Sequence, residues 1–210
     1  LNGLLEGLHA AQQGLRAYLA APGGFACPLT LGSASTVSRD GLGGLQGDGQ
    51  ALVSGDRLAW SASTVAPRQI PPERIPDLSL KQPLELILGA QHGEFSGQAL
   101  FDLFNCPWQL DSRADRMGIR LLGPALAYQG AGLISEGIPL GAVQVPPDGQ
   151  PIVLLNDRQT IGGYPRVGAL TPESLARLAQ AQPGDGVRFR PVLQAGAQAR
   201  HLRLLDGFAT

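Results

Sequence analysis

Residues Pro146 to Leu155 read Pro-Pro-Asp-Gly-Gln-Pro-Ile-Val-Leu-Leu. Proline presets φ near −65°, and Asp and Gly tolerate the positions that follow, so Pro146-Pro147-Asp148-Gly149 reads as a tight turn. Pro151-Ile152-Val153-Leu154-Leu155 is then a short, continuously apolar run with β-branched residues. Such a run suits a strand buried on both faces better than an amphipathic helix. A hairpin therefore presents its far end, Asn156-Asp157-Arg158-Gln159-Thr160, five consecutive side chains able to hydrogen-bond. Gly162-Gly163 follows, where the backbone can approach a ligand closely or take φ > 0. A buried polar group without a partner costs roughly 1–3 kcal/mol, so either the fold or a ligand must supply partners here.

Outside this segment, 29 Gly and 17 Pro among 210 residues punctuate the chain too often for a helical bundle, and no collagen-like period is present. Short strands joined by turns, closed into a barrel or sandwich, are the natural expectation. Leu15 to Ala20, Arg57 to Trp60 after the turn Ser54-Gly55-Asp56, Leu84 to Leu88 and Gly186 to Val192 read as strands. In the last of these, Val187, Phe189 and Pro191 alternate with Arg188 and Arg190, which suits a sheet with one wet face. Ser96 can cap a short helix with Leu100, Leu103 and Phe104 on one face. A second helix starts at Thr171 with Pro172 in its first turn, presents Leu175, Leu178 and Ala179, and stops at Pro183-Gly184. Thr64 to Leu80 holds four prolines and few periodic apolar residues, making it the expected linker. The division expected is a first β lobe over 1–80 and a second over 81–210 that carries the hairpin.

Charge and special residues narrow the function classes. Formal net charge is −1, which gives no reason to expect a nucleic-acid or anionic-membrane partner. No apolar run approaches the roughly 20 residues of a membrane span. A basic leader before an apolar core is lacking in the first twenty residues, so no secretory signal is expected. Cys27 and Cys106 make neither a disulfide framework nor a metal-ligand spacing, and free thiols in a cytoplasmic protein are the expectation. The histidines, His9, His92 and His201, lie far apart, and no metal site is expected from them. His92 follows an apolar strand and is a lesser candidate for a catalytic base, with a surface or capping role as its alternative. Lys81 is the single lysine and has neither P-loop nor biotin-attachment context. No covalent biotin and no P-loop ATP site are expected on this chain.

Several motifs together resemble the allophanate hydrolase subunit 2 family, which includes the C subunit of 5-oxoprolinase, the Kip antagonist proteins and part of urea carboxylase. The segment Ser135 to Gly168 is similar to its signature. Arg16-Ala17-Tyr18-Leu19-Ala20 with Gly23-Gly24, Leu31-Gly32-Ser33 with Ser35-Thr36, and Asp115-Arg116-Met117-Gly118-Ile119-Arg120-Leu121 resemble further family motifs, so the resemblance covers nearly the whole chain. Departures occur at Ala34, where many members carry Arg, at Ala90, where Gly-Pro is usual, and at Ile161, where a second Thr is common. They remove a possible anion contact and a hydroxyl beside the expected site. The family pattern ordinarily has several tens of residues before the Arg-Ala-Tyr-Leu-Ala strand, so a missing amino-terminal portion is expected, and inactivity of the fragment alone with it.

The fold this resemblance implies is mainly β, a cyclophilin-like β-barrel with two short helices. The implied function is that of a cytoplasmic component of an ATP-dependent 5-oxoprolinase, opening 5-oxoproline to L-glutamate with the B subunit and A-like chains of that enzyme as partners. ATP with Mg would be used in the complex. The alternatives are the carboxyltransferase component of a biotin-dependent urea or amide carboxylase, and a regulatory protein that binds a kinase inhibitor. A cyclic amide needs donors and acceptors for its ring N–H and C=O, and a phosphorylated or carboxylated intermediate needs Arg and backbone N–H groups. On that chemistry Asp157 is the candidate catalytic or orienting carboxylate. Asn156, Gln159, Thr160, Gly162, Gly163 and Tyr164 are candidate substrate contacts. Arg116 and Arg120 are candidate anion clamps, with surface pairing to Asp111 or Asp115 as their alternative. Glu136 and Gln144 are second choices.

Overall fold

The hairpin that opened the reading is the centre of a barrel-like sheet. In the computed structural model, which describes residues 14–60 and 71–209, ten strands are present among the described residues. They are β1 (Leu84–Leu88), β2 (Trp108–Leu110), β3 (Gly118–Leu122), β4 (Glu136–Gly137), β5 (Ala142–Gln144), β6 (Ile152–Leu154), β7 (Ile161–Gly162), β8 (Arg166–Leu170), β9 (Gly186–Val187) and β10 (Phe189–Pro191). Three helices accompany them: α1 (Gly97–Asn105), α2 (Pro172–Leu178) and α3 (Gln194–Ala209). Eight strands form one sheet in the order β10-β1-β8-β5-β6-β3-β2-β9, while β4 and β7 pair only with each other.

Closure comes from one short run. β9 pairs with β2 at one edge and β10 with β1 at the other, and only Arg188 separates them. The Arg188 carbonyl accepts from Leu84 N at 2.7 Å, so this run bridges both edges and leaves the sheet nearly closed. The alternation expected there holds through Arg190, with Val187 and Phe189 buried and Arg188 and Arg190 exposed, and fails at Pro191, which is exposed at the sheet edge. The mainly β barrel implied by the motifs is therefore the fold of this chain.

Both faces of β6 are covered, which is why its sequence is apolar throughout. Val153 and Leu155 enter the main core with Trp108, Leu84, Leu86, Val143 and Val167. Leu154 turns the other way, into a second cluster with Ile138 and Ala142, against which Ile152 packs. Each such aliphatic side chain contributes about 1.5–3 kcal/mol when fully buried. The Pro146–Gly149 turn closes as expected, Gly149 N donating to Pro146 O at 2.9 Å with φ at 75°.

Ser96 caps α1, accepting from Ala99 N at 3.0 Å, and Leu103 of that helix is fully buried. Thr171 caps α2, accepting from Ser174 N at 3.3 Å. α2 ends at Leu178, short of Pro183-Gly184. Its tail tightens there into i→i+3 bonds, and the Gln180 amide turns back to bind both Leu15 N and Arg16 N. That contact also corrects the strand expected over Leu15 to Ala20: no ladder forms among these residues. The strand expected at Arg57 to Trp60 narrows to a single bridge, Phe25↔Trp60.

α3 is a helix beyond the two expected. Only Leu202 and Leu205 of its leucines share a face, and Leu202, Leu204 and Leu205 are all exposed. Polar contacts hold the helix instead: Arg200 with Glu85, and Arg74 donating to Gly207 O at 3.0 Å.

The chain divides into two compact units, one comprising Leu1–Arg16 with Pro72–Thr210 and carrying the barrel, the other Ala17–Pro71. Residues 64–70 of the expected linker lie outside the described residues. Turns dominate the smaller unit. Its buried positions among the described residues are glycines, Gly43, Gly44 and Gly49, where backbone packs on backbone.

Candidate functional site

The signature segment builds a two-stranded flap and one wall of a cleft. β4 and β7 pair Glu136 with Gly162 and Gly137 with Ile161. The flap is fastened to the barrel by polar groups. Glu136 pairs with Arg166 at 3.2 Å and accepts from Gln91 Nε2 at 3.0 Å. Gln91 Oε1 in turn accepts from Arg166 N at 2.7 Å, and Arg166 Nη1 donates to Gly137 O at 3.1 Å. Three side chains thus close a ring around the root of the flap. Buried Gln144 donates to Tyr164 O at 3.5 Å from below. A methyl on Gly162 would stand 2.6 Å from Ile138 Cδ1 and 3.4 Å from Gln144 Nε2, so β7 lies close over these two side chains, and a larger residue there would have to displace the Ile138 methyl. Glu136, Gln144, Gln159, Gly162, Gly163 and Tyr164, picked from sequence, therefore share one locale.

Beside it opens a cleft of about 490 Å³. Its walls are the segment Ala125 to Leu133, the turn Val145 to Gly149, and Gly163 to Pro165. Ala and Gly are frequent in this lining, so ligand atoms can approach the backbone there, and Tyr128, Tyr164 and Asp148 supply the larger polar groups. Asp148 is fixed twice: it pairs with Arg120 and accepts from Gln150 N at 3.1 Å. Tyr128 donates its hydroxyl hydrogen bond to Glu94, and that bond pushes the phenol up to about 12. Neither Asp148, Tyr128 nor Glu94 was singled out from sequence. Asp148 was read only as a turn former, and the approach of Glu94 to Tyr128 spans 34 residues, beyond any local pattern.

The remaining candidates lie elsewhere. Arg116 and Asp157 satisfy each other in a two-pronged pair, Nε to Oδ2 at 2.8 Å and Nη2 to Oδ1 at 3.2 Å. The partner shown for Arg116 is thus Asp157, rather than Asp111 or Asp115, the surface partners considered for it. Asp111 is taken by Arg113, whose hydrogen bond holds the carboxyl down at about 2, and Asp115 accepts from Met117 N and Gly118 N. Arg120 likewise goes to Asp148, because its strand position opposite Ile152 faces the Pro146–Gly149 turn. Asn156 and Thr160 are exposed, as is Gln159 beside the flap, so water can satisfy them, whereas Arg158 is bound to Ile138 O at 3.1 Å and Leu155 O at 3.4 Å. The polar run thus finds its partners mostly in the fold and in solvent. His92 is exposed and its Nδ1 is 2.7 Å from Gly89 O, a capping contact. His9 lies outside the described residues. Among the described residues, no three of His, Cys, Asp and Glu gather closely enough to hold a metal ion. No helix among them is long and apolar enough to cross a membrane.

Residues 5–191 match the carboxyltransferase domain, subdomain A and B. The chain belongs to that family. Among relatives, the carboxyltransferase-domain chain is 38% identical over 183 residues to the C subunit of 5-oxoprolinase from Escherichia coli, covering 87% of this chain and 58% of the relative. It thus spans little more than half of that protein. It is also 28% identical over 199 residues to urea amidolyase of Saccharomyces cerevisiae, covering 85% of this chain and 11% of that protein. A solved structure of Kluyveromyces lactis urea amidolyase superposes with a TM-score of 0.80 at 24% identity, over 92% of this chain and 13% of that one, and shows a shared fold. The resemblance to the 5-oxoprolinase C subunit read from four separate motifs is borne out.

Proposed function

We propose that this chain is part of a 5-oxoprolinase subunit, working with the B subunit and A-like partner chains to open 5-oxoproline to L-glutamate at the expense of ATP. One observation carries the reading: the 38% identity to the E. coli 5-oxoprolinase C subunit extends over 87% of the chain, signature segment included. That segment supplies the flap and a wall of the cleft. Opening a lactam breaks its C–N bond, adds OH to the carbonyl carbon and leaves a proton on nitrogen. The carbonyl oxygen needs donors as charge develops there, and backbone N–H groups in a wall of Gly and Ala can come close enough to serve.

ATP supplies the driving force by activating that oxygen. Among the described residues the cleft lining carries no Lys, Arg or His, and Arg120 behind it is paired with Asp148, so the cations that hold a triphosphate come from outside this cleft. Asp157 would act as an orienting carboxylate, with Arg116 fixed against it. The isolated chain would be inactive.

A second reading, carboxyl transfer to urea or a related amide, is favoured by the similarity to yeast urea amidolyase. The test uses the full-length protein with its partner chains, following ATP hydrolysis with and without 5-oxoproline. The first reading expects 5-oxoproline-dependent hydrolysis, and an orienting role for the Arg116-held carboxylate expects that hydrolysis to fall in Asp157→Asn. Hydrolysis indifferent to 5-oxoproline in an assembled complex would refute it and direct attention to biotin-dependent carboxylation. Full activity in the variant would remove Asp157 alone from the mechanism.

A further inference from the structure

We propose that Tyr128, with its hydroxyl proton committed to Glu94, is a one-way hydrogen-bond acceptor in the cleft that selects ligands presenting an amide N–H. The inference rests on the lactam reading of this same cleft. A phenol is ordinarily ambidextrous, one donor and two acceptor lone pairs, and cannot distinguish a ligand N–H from a ligand oxygen. Here the donor is spent. Tyr128 donates to Glu94 Oε2, which leaves only lone pairs for a ligand.

The pair is built into the fold. The chain around Glu94 is zippered to the chain around Tyr128: Gln129 N donates to Glu94 O at 2.7 Å, and Ser96 N donates to Ala127 O at 3.0 Å. Phe95 meets the Tyr128 ring edge-on at 5.2 Å between centroids, which fixes the phenol plane. Gly130 seals the arrangement. A methyl there would lie 1.8 Å from Glu94 Oε2 and 2.2 Å from the Tyr128 hydroxyl, so a glycine at 130 is what leaves room for the pair. Tyr128 and Gly130 both line the cleft, and the hydroxyl lies against Gly130. The upward-shifted phenol agrees, since a tyrosine donating to a carboxylate resists giving up its proton. Tyr128 is thus a specificity residue, and Glu94 a positioning residue acting through it.

The test uses the assembled complex with three proteins, wild type, Tyr128→Phe and Glu94→Leu. The two ligands are 5-oxoproline as substrate and its lactone analogue, which carries oxygen in place of N–H, as competitor. Tyr128→Phe keeps the ring contact with Phe95 and should raise KM for 5-oxoproline about 3- to 10-fold with little change in kcat, the size of one neutral hydrogen bond. The lactone should bind no worse to that variant. Glu94→Leu frees the hydroxyl proton, so Tyr128 can donate to the lactone oxygen, and discrimination between the two ligands should narrow by a similar factor. Ultraviolet titration of the tyrosines, read independently of activity, should show one phenol in the wild type titrating near 12 and returning toward the ordinary range in Glu94→Leu. Unchanged discrimination in both variants, or equal weakening of both ligands, would overturn the assignment while the lactam reading stands. A wild-type complex with no 5-oxoproline turnover would overturn both.

Discussion

Replacing Gly168 by Ala tests whether the barrel positions the cleft. Gly168 sits mid-strand on β8, paired with Leu88 on one side and Val143 on the other. Its φ does not lie in the left-handed region, so the position does not need glycine for backbone reasons. It needs glycine for space. An ideal Cβ would stand 2.2 Å from Ile87 O and 2.8 Å from Leu86 Cδ2, where real contacts stay beyond 3.0 Å. Backbone on β1 would have to retreat by most of an ångström across a ladder that also holds fully buried Leu86. Forcing a methyl into a packed interior costs about 1–3 kcal/mol, and here the obstacle is a ladder carbonyl rather than a side chain, so the upper end applies. For a chain of this size that is a fall of very roughly 4–10 °C in Tm.

Gly186→Ala is the matched comparison. It too lies on a barrel strand, β9, yet its Cβ would meet nothing within 4 Å. It should leave stability unchanged or raise it by about 0.4–1 kcal/mol through the unfolded chain. Urea unfolding followed by Trp108, 1% exposed in the barrel core, in a Trp60→Phe background reads this unit alone. The reasoning fails if Gly168→Ala unfolds within about 0.5 kcal/mol of the parent, the range of ordinary surface changes, or if both alanines act alike. Because β8 begins at Arg166, which ties down the flap, the same variant should also weaken 5-oxoproline dependence in the complex.

Two further outcomes follow from single residues. Leu31 takes φ 51° in a two-residue turn closed by Thr30 and Ser33 and is 96% exposed, so it bears left-handed strain without packing in return. Leu31→Asn should stabilise the smaller unit by about 1 kcal/mol, measured by Trp60 fluorescence in urea, and a loss of stability would show that the side chain has a contact. Asp111 is held at about 2, below its ordinary 3.8, by hydrogen bonds from Arg113. A depressed folded value means its contribution is present above the unfolded pKa and is lost as pH falls from near 4 toward 2. The stability gap between the parent and Asp111→Asn should therefore shrink over that window in acid-urea titrations, and a constant gap would refute the linkage.

What the sequence made legible follows from how far apart the interacting residues lie. Turn, caps and strand identity were readable because their causes are local: Pro-Pro-Asp-Gly fixes its own φ values, Ser96 and Thr171 reach backbone N–H groups three residues on, and the unbroken run of β6 reports cover on both faces. α3 was not readable, since polar contacts of Arg200 with Glu85 and of Arg74 with Gly207 O hold it where no buried leucine stripe does. Motif resemblance carried the barrel; local pattern stopped short of it, because closure depends on Arg188 joining two edges whose strands lie far apart in the chain. The site divides in the same way. Residues packed into the signature segment met at the flap, since the β4–β7 ladder folds them together.

Charged residues went astray for a physical reason. A guanidinium in a sequence has many carboxylates within reach of some fold, and which one it takes depends on strand register. Arg116 chose Asp157 across 41 residues because Asp157 N already donates to Arg116 O, so backbone pairing had set the two side chains side by side. Arg120, four residues along, points at the Asp148 turn instead, and with that pairing a candidate clamp on substrate becomes a support for the carboxylate that faces the cleft. If the cleft takes an anionic lactam acid, its carboxylate then meets a wall whose own charged group, Asp148, is negative and already neutralised by Arg120. Cationic recognition must therefore be added from across the cleft, by further parts of the protein or by a partner, and the Gly- and Ala-lined wall described here is left to read the amide.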